Sequence, residues 1–434
     1  MKRVHLIGLG GAGVSALAKY LSEEGHTVSG SDDIYSEIIK DLEENFNVRY
    51  VGSQHENNID ETIETVIYTP AVGPGNPEFD TAQSLGINMF TYPEYLGVIS
   101  QNKKTIAVAG TNGKTTTTSM IAEILIDQEY DPHVIVGAIN KKMNSNYRKG
   151  SSDLFIMEAC EYKHSFLSLT PDVLVITNIT PDHLDYFETV ENYIDAFISL
   201  VGRMKEGSVL IYNSSDELTK TVITTALEKG IKLVDYTQYP LIDVAMHGSH
   251  NDLNGQAAVA AVDALDADVE EASQYLTDKL QGPARRMDFK GATQYGDIVV
   301  DDYAHNPEGV TLLIDALERA YPERRLLIYF QPHLFSRTRD FLQEFARALA
   351  VAHEVVLLPI YHAREQDFGD VSSGVLAETI NLIDKDIQPY VASDFEDAIA
   401  YYASRDHDIQ RVVVTVGAGD IYAVGDAILK TYGN

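Results

Sequence analysis

The 434-residue chain has no tryptophan, a single cysteine, and 33 basic against 65 acidic side chains, a formal net charge of −32. With Cys160 alone, an intrachain disulfide and a cysteine-based zinc site are both excluded. The shortage of cations disfavours a general nucleic-acid binder, which displaces counterions with a basic surface. We read the acidity as a solubility device or the mark of a salty habitat. Any cation beside a glycine-rich loop then works locally, against the field of the whole chain. No apolar run reaches the ~18 residues of a membrane span, so no membrane insertion is expected. The opening Met1-Lys2-Arg3-Val4-His5-Leu6-Ile7-Gly8 enters a strand at once and lacks a signal-peptide core, so a cytoplasmic location is expected. Tandem repeats and low-complexity tracts are missing too. The 25 tyrosines are scattered and read as core and surface residues, not as a platform for stacking bases.

What is present is globular in composition, 44% hydrophobic and 23% charged. The length suggests about three domains of ~150 residues. Apolar strands alternate with helical stretches throughout: strands at 4–8, 26–30 and 65–69, then 105–109, 153–157, 172–177 and 208–212, then 298–301, 325–330, 354–359 and 411–416. Helices are expected at 14–21, 119–126 and 254–265. Such alternation predicts an α/β fold with parallel sheets covered on both faces. Polar residues near 101–104 and the break Gln281-Gly282-Pro283-Ala284-Arg285-Arg286 place boundaries that give domains 1–103, 104–288 and 289–434.

The strongest motif is Gly110-Thr111-Asn112-Gly113-Lys114-Thr115-Thr116-Thr117-Thr118, between an apolar strand and a helix. Its glycines let backbone N–H groups face phosphate oxygens, Lys114 reaches the β/γ-phosphates, and the Thr115 hydroxyl suits Mg²⁺. The spacing G-x-x-G-K-T-T is shorter than the usual phosphate loop. The first loop, Gly8-Leu9-Gly10-Gly11-Ala12-Gly13, with Asp32 after the second strand, fits a dinucleotide fingerprint or, equally, a nucleotide-diphosphate substrate. An NAD(P)-dependent oxidoreductase therefore stays open at this point, as does a non-catalytic nucleotide-binding scaffold.

Two further groups follow central strands: Glu158-Ala159-Cys160-Glu161 and Thr177-Asn178-Ile179-Thr180-Pro181-Asp182-His183-Leu184-Asp185. Both occupy strand carboxyl ends, where open α/β sheets collect ligands. Glu158 and His183 are candidates to complete a Mg²⁺ shell beside the phosphate loop. The last third carries Asp301-Asp302-Tyr303-Ala304-His305-Asn306-Pro307 and Gln331-Pro332-His333-Leu334-Phe335-Ser336-Arg337-Thr338-Arg339, side chains able to position a small amino-acid-like molecule. For each there is a plainer reading: Asp302 as a helix cap, Arg339 as exposed charge, Arg285 and Arg286 as linker surface. The segment His362-Ala363-Arg364-Glu365 ends a strand beside the same cleft.

In their order along the chain these motifs, with Gly248-Ser249-His250-Asn251-Asp252-Leu253-Asn254 and Gly417-Ala418-Gly419-Asp420, resemble the Mur ligase family of ATP-dependent amide-forming enzymes. The resemblance implies a three-domain architecture: a Rossmann-like N-terminal domain for a UDP-sugar, a central P-loop ATPase domain, and a C-terminal Rossmann-like domain admitting an amino acid. It implies ATP and Mg²⁺ as cofactors, and a monomer or weak homodimer. Carried over by position, Gly110, Thr111, Asn112, Gly113, Lys114, Thr115 and Thr116 would hold ATP, with Asn251, Asn254 and Arg286. Thr115, Glu158 and His183 would hold the metal, and Lys114, Glu158 and His183 would serve catalysis. Gly10, Gly11, Ala12, Gly13 and Asp32 would bind the UDP-sugar, and His305, His333 and Arg337 the amino acid. Glu-Ala-Cys-Glu, Gln-Pro-His-x-x-x-Arg-Thr and Ala-Arg-Glu point to the branch joining L-alanine to the lactoyl carboxylate of UDP-N-acetylmuramate through an acyl phosphate. A relative that adds another amino acid or a preformed peptide is the alternative. Asn112 in place of histidine, Ala-His-Asn-Pro at 304–307, Leu334, and the short stretch 236–246 depart from that branch's pattern, and they bear on the amino acid more than on the reaction.

Overall fold

The computed structural model describes residues 2–363 and 365–433, so Arg364 of the Ala-Arg-Glu segment lies outside the described residues. Three sheets follow one another along the chain. The first comprises β1 (Arg3–Ile7), β2 (Thr27–Ser31), β3 (Arg49–Tyr50), β4 (Thr65–Tyr68) and β5 (Asn88–Thr91), all parallel, in the order β3-β2-β1-β4-β5. The second comprises β6 (Lys104–Ala109), β7 (His133–Asn140), β8 (Ser145–Arg148), β9 (Leu154–Glu158), β10 (Val173–Ile176), β11 (Val209–Tyr212) and β12 (Lys232–Asp235). Its order is β12-β11-β10-β6-β9-β7-β8, with only the β7–β8 pair antiparallel. The third comprises β13 (Asp288–Ala292), β14 (Ile298–Asp302), β15 (Arg325–Phe330), β16 (Glu354–Leu357), β17 (Tyr390–Val391) and β18 (Arg411–Val416), ordered β13-β14-β18-β15-β16-β17 and parallel except at β13–β14.

The apolar runs of the central strands follow from burial on both faces. In β15, Leu326, Ile328 and Phe330 enter one core and Leu327 and Tyr329 the other; Val412 and Val414 of β18 alternate with Val413 in the same way. The chain forms two compact units, Met1–Ala245 with Leu253–Pro283, and Met246–Asp252 with Ala284–Asn434. In the first unit, two sheets share one core. Leu17, Tyr20 and Leu21 of the helix Ala12–Glu23 join Tyr147, Phe155 and Met157 of the second sheet, and the Tyr20 ring stacks on Phe155 at 6.2 Å. Asn146 Nδ2 donates to the Ala12 carbonyl at 2.6 Å, so the first glycine loop is tied to the second sheet.

Two helices start earlier than the sequence pattern suggests. The helix expected at 119–126 spans Lys114–Asp127, with Thr115, Thr116, Thr117 and Thr118 all buried in its first turns. Tertiary packing there overrides the weak helix propensity of β-branched residues. The alanine-rich helix expected at 254–265 spans Ser249–Asp263. Asp302 ends β14 and accepts the Met287 and Ala304 N–H groups, while Asn306 caps the following helix Pro307–Ala320. Arg339 is exposed and paired with Asp340 and Asp370, as its plainer reading held.

Candidate active site

In the second sheet β6 is central, flanked by β9 and β10. The phosphate loop leaves the carboxyl end of β6, so residues 158–161 after β9 and 177–183 after β10 emerge on either side of it. Gly110 and Gly113 have φ of +133° and +83°, backbone that favours glycine. Space demands glycine as well: a Cβ on Gly110 would lie 2.0 Å from Thr177 Oγ1, and one on Gly113 would lie 2.3 Å from Asn254 Oδ1. Asn254 is thus packed against the loop. Asn178 accepts the Asn112 N–H at 3.0 Å and donates to its carbonyl at 3.0 Å, Thr177 donates to that carbonyl at 2.6 Å, and Thr111 Oγ1 meets Tyr193 OH at 2.8 Å. The helix Lys114–Asp127 has no side-chain cap and no acid in its first turn, which leaves its positive end to an anion.

Lys114 Nζ donates to the carbonyls of Gly110 (2.5 Å) and Thr111 (3.0 Å) and to Glu161 Oε1 (3.1 Å). Burial alone would lower the ammonium pKa, but the Glu161 carboxylate outweighs it and holds the pKa above the ordinary lysine value. Glu161 is 2% exposed, and its Oε2 lies 3.0 Å from Lys114 Nζ without hydrogen-bond geometry. Its Oε1 is 3.8 Å from His183 Nε2, and the His183 ring lies 4.8 Å from that of Tyr162. His183 sits in the left-handed region at φ +53°. Glu158 Oε1 accepts the Gly137 N–H at 2.6 Å, and its charge adds to that of Glu161 in stabilising the Lys114 ammonium. Among the described residues no three His, Cys, Asp or Glu side chains form a ready-made metal cage. The Thr115 hydroxyl and Glu158 carboxylate are the hard oxygen donors that Mg²⁺ prefers, and Mg²⁺ fills its shell with water and phosphate oxygens.

In the first sheet the glycine loop follows β1. Asp32, after β2, accepts the Gly10 N–H on Oδ2 at 2.8 Å, so this carboxylate orders the loop directly. Gly11 precedes the helix Ala12–Glu23, whose start has no side-chain cap. A Cβ on Gly13 would lie 2.7 Å from the Tyr92 ring. Burial of Tyr92, with the nearby Glu158 carboxylate adding to it, raises its phenol pKa well above the ordinary value.

In the second unit β18 lies between β14 and β15, and the loops after all three carry the candidate amino-acid residues. His305 Nδ1 donates to the Tyr303 carbonyl at 3.1 Å, and its ring centre is 6.3 Å from that of His333. His333 stacks on Tyr361 at 5.5 Å, and its Nδ1 accepts from Arg337 Nη1 at 3.4 Å. Ser336 donates its N–H and hydroxyl to Glu365. Burial would raise the Glu365 pKa, yet these hydrogen bonds hold it below the usual carboxylate range. His305, His333 and Arg337 are therefore brought together, with Tyr361 and Glu365 beside them.

The two boundary arginines differ. Both lie over the Tyr303 ring, Arg285 at 5.1 Å and Arg286 at 4.8 Å, but Arg285 is also pinned by Asp301 (3.0 Å) and by the carbonyls of Gly419 (3.0 Å) and Gly417 (2.6 Å). Burial raises the pKa of Asp301 and of Asp302, against the pull of Arg285 and Arg286 respectively. Asn251, in the segment grouped with the second unit, donates to the His247 carbonyl at 3.0 Å.

Family profiles match a stretch of chain in each of the three sheets. The profile of the Mur ligase family catalytic domain matches residues 3–104, that of the Mur ligase middle domain residues 108–259, and that of the Mur ligase glutamate ligase domain residues 285–419. The chain is 36% identical over 454 residues to UDP-N-acetylmuramate–L-alanine ligase of Agathobacter rectalis, covering 98% of this chain and 97% of that one. It belongs to the Mur ligase family. The corresponding enzyme of Clostridium acetobutylicum is also 36% identical, over 99% of this chain and 98% of its own. A UDP-N-acetylmuramate-alanine ligase from Thermotoga maritima superposes with a TM-score of 0.82 at 25% identity, covering 99% of both chains. A murein peptide ligase from Psychrobacter arcticus shares the fold at a TM-score of 0.70 and 21% identity, over 100% of this chain and 99% of that one.

As a Mur ligase the chain is an ATP-dependent ligase with the three-domain α/β fold of that family. The oxidoreductase reading of the first loop gives way, because residues 3–104 fall within the Mur ligase profile. No helix among the described residues is long and apolar enough to cross a membrane. Sequence reasoning quoted Glu161, Thr177 and Asn178 within motifs without giving them a role, and missed Tyr92 and Tyr361. Only their positions at strand ends marked them.

Proposed function

We propose that this Mur ligase joins L-alanine to the lactoyl carboxylate of UDP-N-acetylmuramate, with ATP cleaved to ADP and phosphate, within domains 1–103, 104–288 and 289–434. The observation that carries the reading is the phosphate loop with Lys114 at its centre, in a chain similar over nearly its whole length to ligases named for this reaction. A carboxylate is a poor electrophile. Its oxygen attacks the γ-phosphorus and ADP leaves, giving an acyl phosphate. The amine nitrogen of L-alanine then attacks the acyl carbon, a proton is lost from nitrogen, and phosphate departs with one former carboxylate oxygen.

Catalysis of this kind rests on positioning and charge neutralisation. Lys114 and the N–H groups of Gly110, Gly113, Thr115 and Thr116 would orient the triphosphate in a loop whose Thr111 and Asn112 N–H groups are held by Asn178, with Asn251, Asn254 and Arg286 as further contacts. Thr115, Glu158 and His183 would hold Mg²⁺, which when bound neutralises phosphate charge. Ala12 and Gly13 would receive the UDP pyrophosphate on the N–H groups of the helix start, while the Gly10 and Gly11 N–H groups, held by Asp32 and the Gly8 carbonyl, keep the loop in shape around it. Arg337 would meet the carboxylate of the amino acid, and His305 and His333 would flank its amine. A heavy-oxygen label placed in the lactoyl carboxylate tests the route. One labelled oxygen is expected in the released phosphate, and unlabelled phosphate with normal amide formation would refute the acyl phosphate.

A further inference from the structure

A lysine ammonium has three N–H donors, and in this structure all three of Lys114 are committed, to Gly110 O, Thr111 O and Glu161 Oε1. A nucleotide phosphate can reach Lys114 only by replacing one of these partners. The two carbonyls belong to the loop that must keep its shape around the phosphate, whereas Glu161 competes with phosphate as an anion. Once displaced, a carboxylate that is 2% exposed requires another partner. His183 is in place for this: its Nε2 is 3.8 Å from the Glu161 oxygen that now faces Lys114. A carboxylate behind an imidazole fixes which nitrogen carries the proton and how the ring is turned.

Resting on the ligase reading above, we propose that Glu161 is a positioning residue: phosphate takes over the Lys114 donor that Glu161 holds, and the released carboxylate accepts the Nε2–H of His183, setting that ring for the transfer step. Glu161 touches no substrate in this account. It links nucleotide arrival to the orientation of His183 across the phosphate loop, and it opposes nucleotide binding to a small extent because one ion pair is exchanged for another.

Titration calorimetry with Mg²⁺ and the non-hydrolysable analogue AMPPNP, alongside steady-state kinetics, separates this from a structural role. Glu161→Gln keeps the shape and removes the competing charge. It is expected to bind AMPPNP about threefold more tightly while kcat falls about tenfold or more, and Glu161→Asp is expected to recover most of the lost kcat. Weaker AMPPNP binding with unchanged kcat, or no change in either, would overturn the proposal. A crystal structure of the wild-type complex with Mg²⁺ and AMPPNP gives a test that needs no variant: Glu161 is expected nearer His183 Nε2 than Lys114 Nζ, and a retained Lys114–Glu161 hydrogen bond refutes the exchange. Wild-type protein that binds no AMPPNP would instead refute the ligase reading.

Discussion

Lys114 shows how a single side chain is held against the tendency of its surroundings. Burial works against its charge, and Glu161 keeps it ionised on the floor of the phosphate loop. Replacing it with alanine removes the cation on which phosphoryl transfer depends, so Lys114→Ala is expected to lower kcat/KM for ATP by about 10²–10³ or more. ADP release in the presence of UDP-N-acetylmuramate, Mg²⁺ and L-alanine measures this, and near-normal release would remove Lys114 from the mechanism.

Glu78 is a second buried charge, bonded to Ser31 behind the first glycine loop. Its carboxylate is fully buried and receives Ser31 Oγ at 2.5 Å and Asn58 Nδ2 at 2.6 Å, with His5 Nε2 at 3.4 Å. Burial would raise its pKa, but these partners together hold it below the ordinary glutamate value. A depressed native pKa contributes stability that is fully present above the unfolded value of about 4.3 and is lost as pH falls through the native value. Glu78→Gln should therefore cost about 1–3 kcal/mol at neutral pH. Urea melts of the two proteins are expected to converge as the pH is lowered below about 4, and a gap that widens there would contradict the assignment.

Among the elements, central strands were plain in the sequence because both faces are buried and their residues run apolar without interruption, as in Arg411-Val412-Val413-Val414-Thr415-Val416. Short strands carry no such pattern: β3 is Arg49-Tyr50, β12 begins at Lys232, and β17 is Tyr390-Val391. The loops were legible by their glycines and lysine, since few other residue types fit positive φ or reach a phosphate. The contacts by which Glu161 and Asp32 hold these loops were not, because each acts on a loop more than 20 residues away in sequence, and only pairing of neighbouring strands brings them together.

The helix Lys114–Asp127 is anchored at its far end in a way the sequence does not announce. Fully buried Glu123 accepts from Asn140 Nδ2 (2.7 Å), Tyr275 OH (3.0 Å), and the N–H groups of Gln281 (3.0 Å) and Gly282 (2.9 Å). It fixes the phosphate-loop helix to the last residues of the first unit. Glu123→Ala would take this partner from four donors, three of them on buried residues, and a loss of about 3 kcal/mol or more is expected. Thermal and urea unfolding check this, and a change within about 0.5 kcal/mol would place the anchor elsewhere.

At the scale of the whole molecule, three parallel-dominated sheets each end in glycine- or histidine-bearing loops at their strand carboxyl ends, one set for each of three proposed ligands. Two of those ligands are polyanions, yet the chain carries a net charge of −32. Long-range attraction cannot gather them. Recognition falls to local devices: uncapped helix starts at Ala12–Glu23 and Lys114–Asp127, and the buried ammonium of Lys114. The most direct test is the mass of the nucleotide product after incubation with ATP, Mg²⁺, UDP-N-acetylmuramate and a mixture of amino acids. The account predicts one new sugar nucleotide, heavier than the substrate by a single alanyl residue and formed in step with ADP. ATP cleavage with the sugar nucleotide unchanged in mass, or a product carrying a different amino acid or a whole peptide, would contradict it.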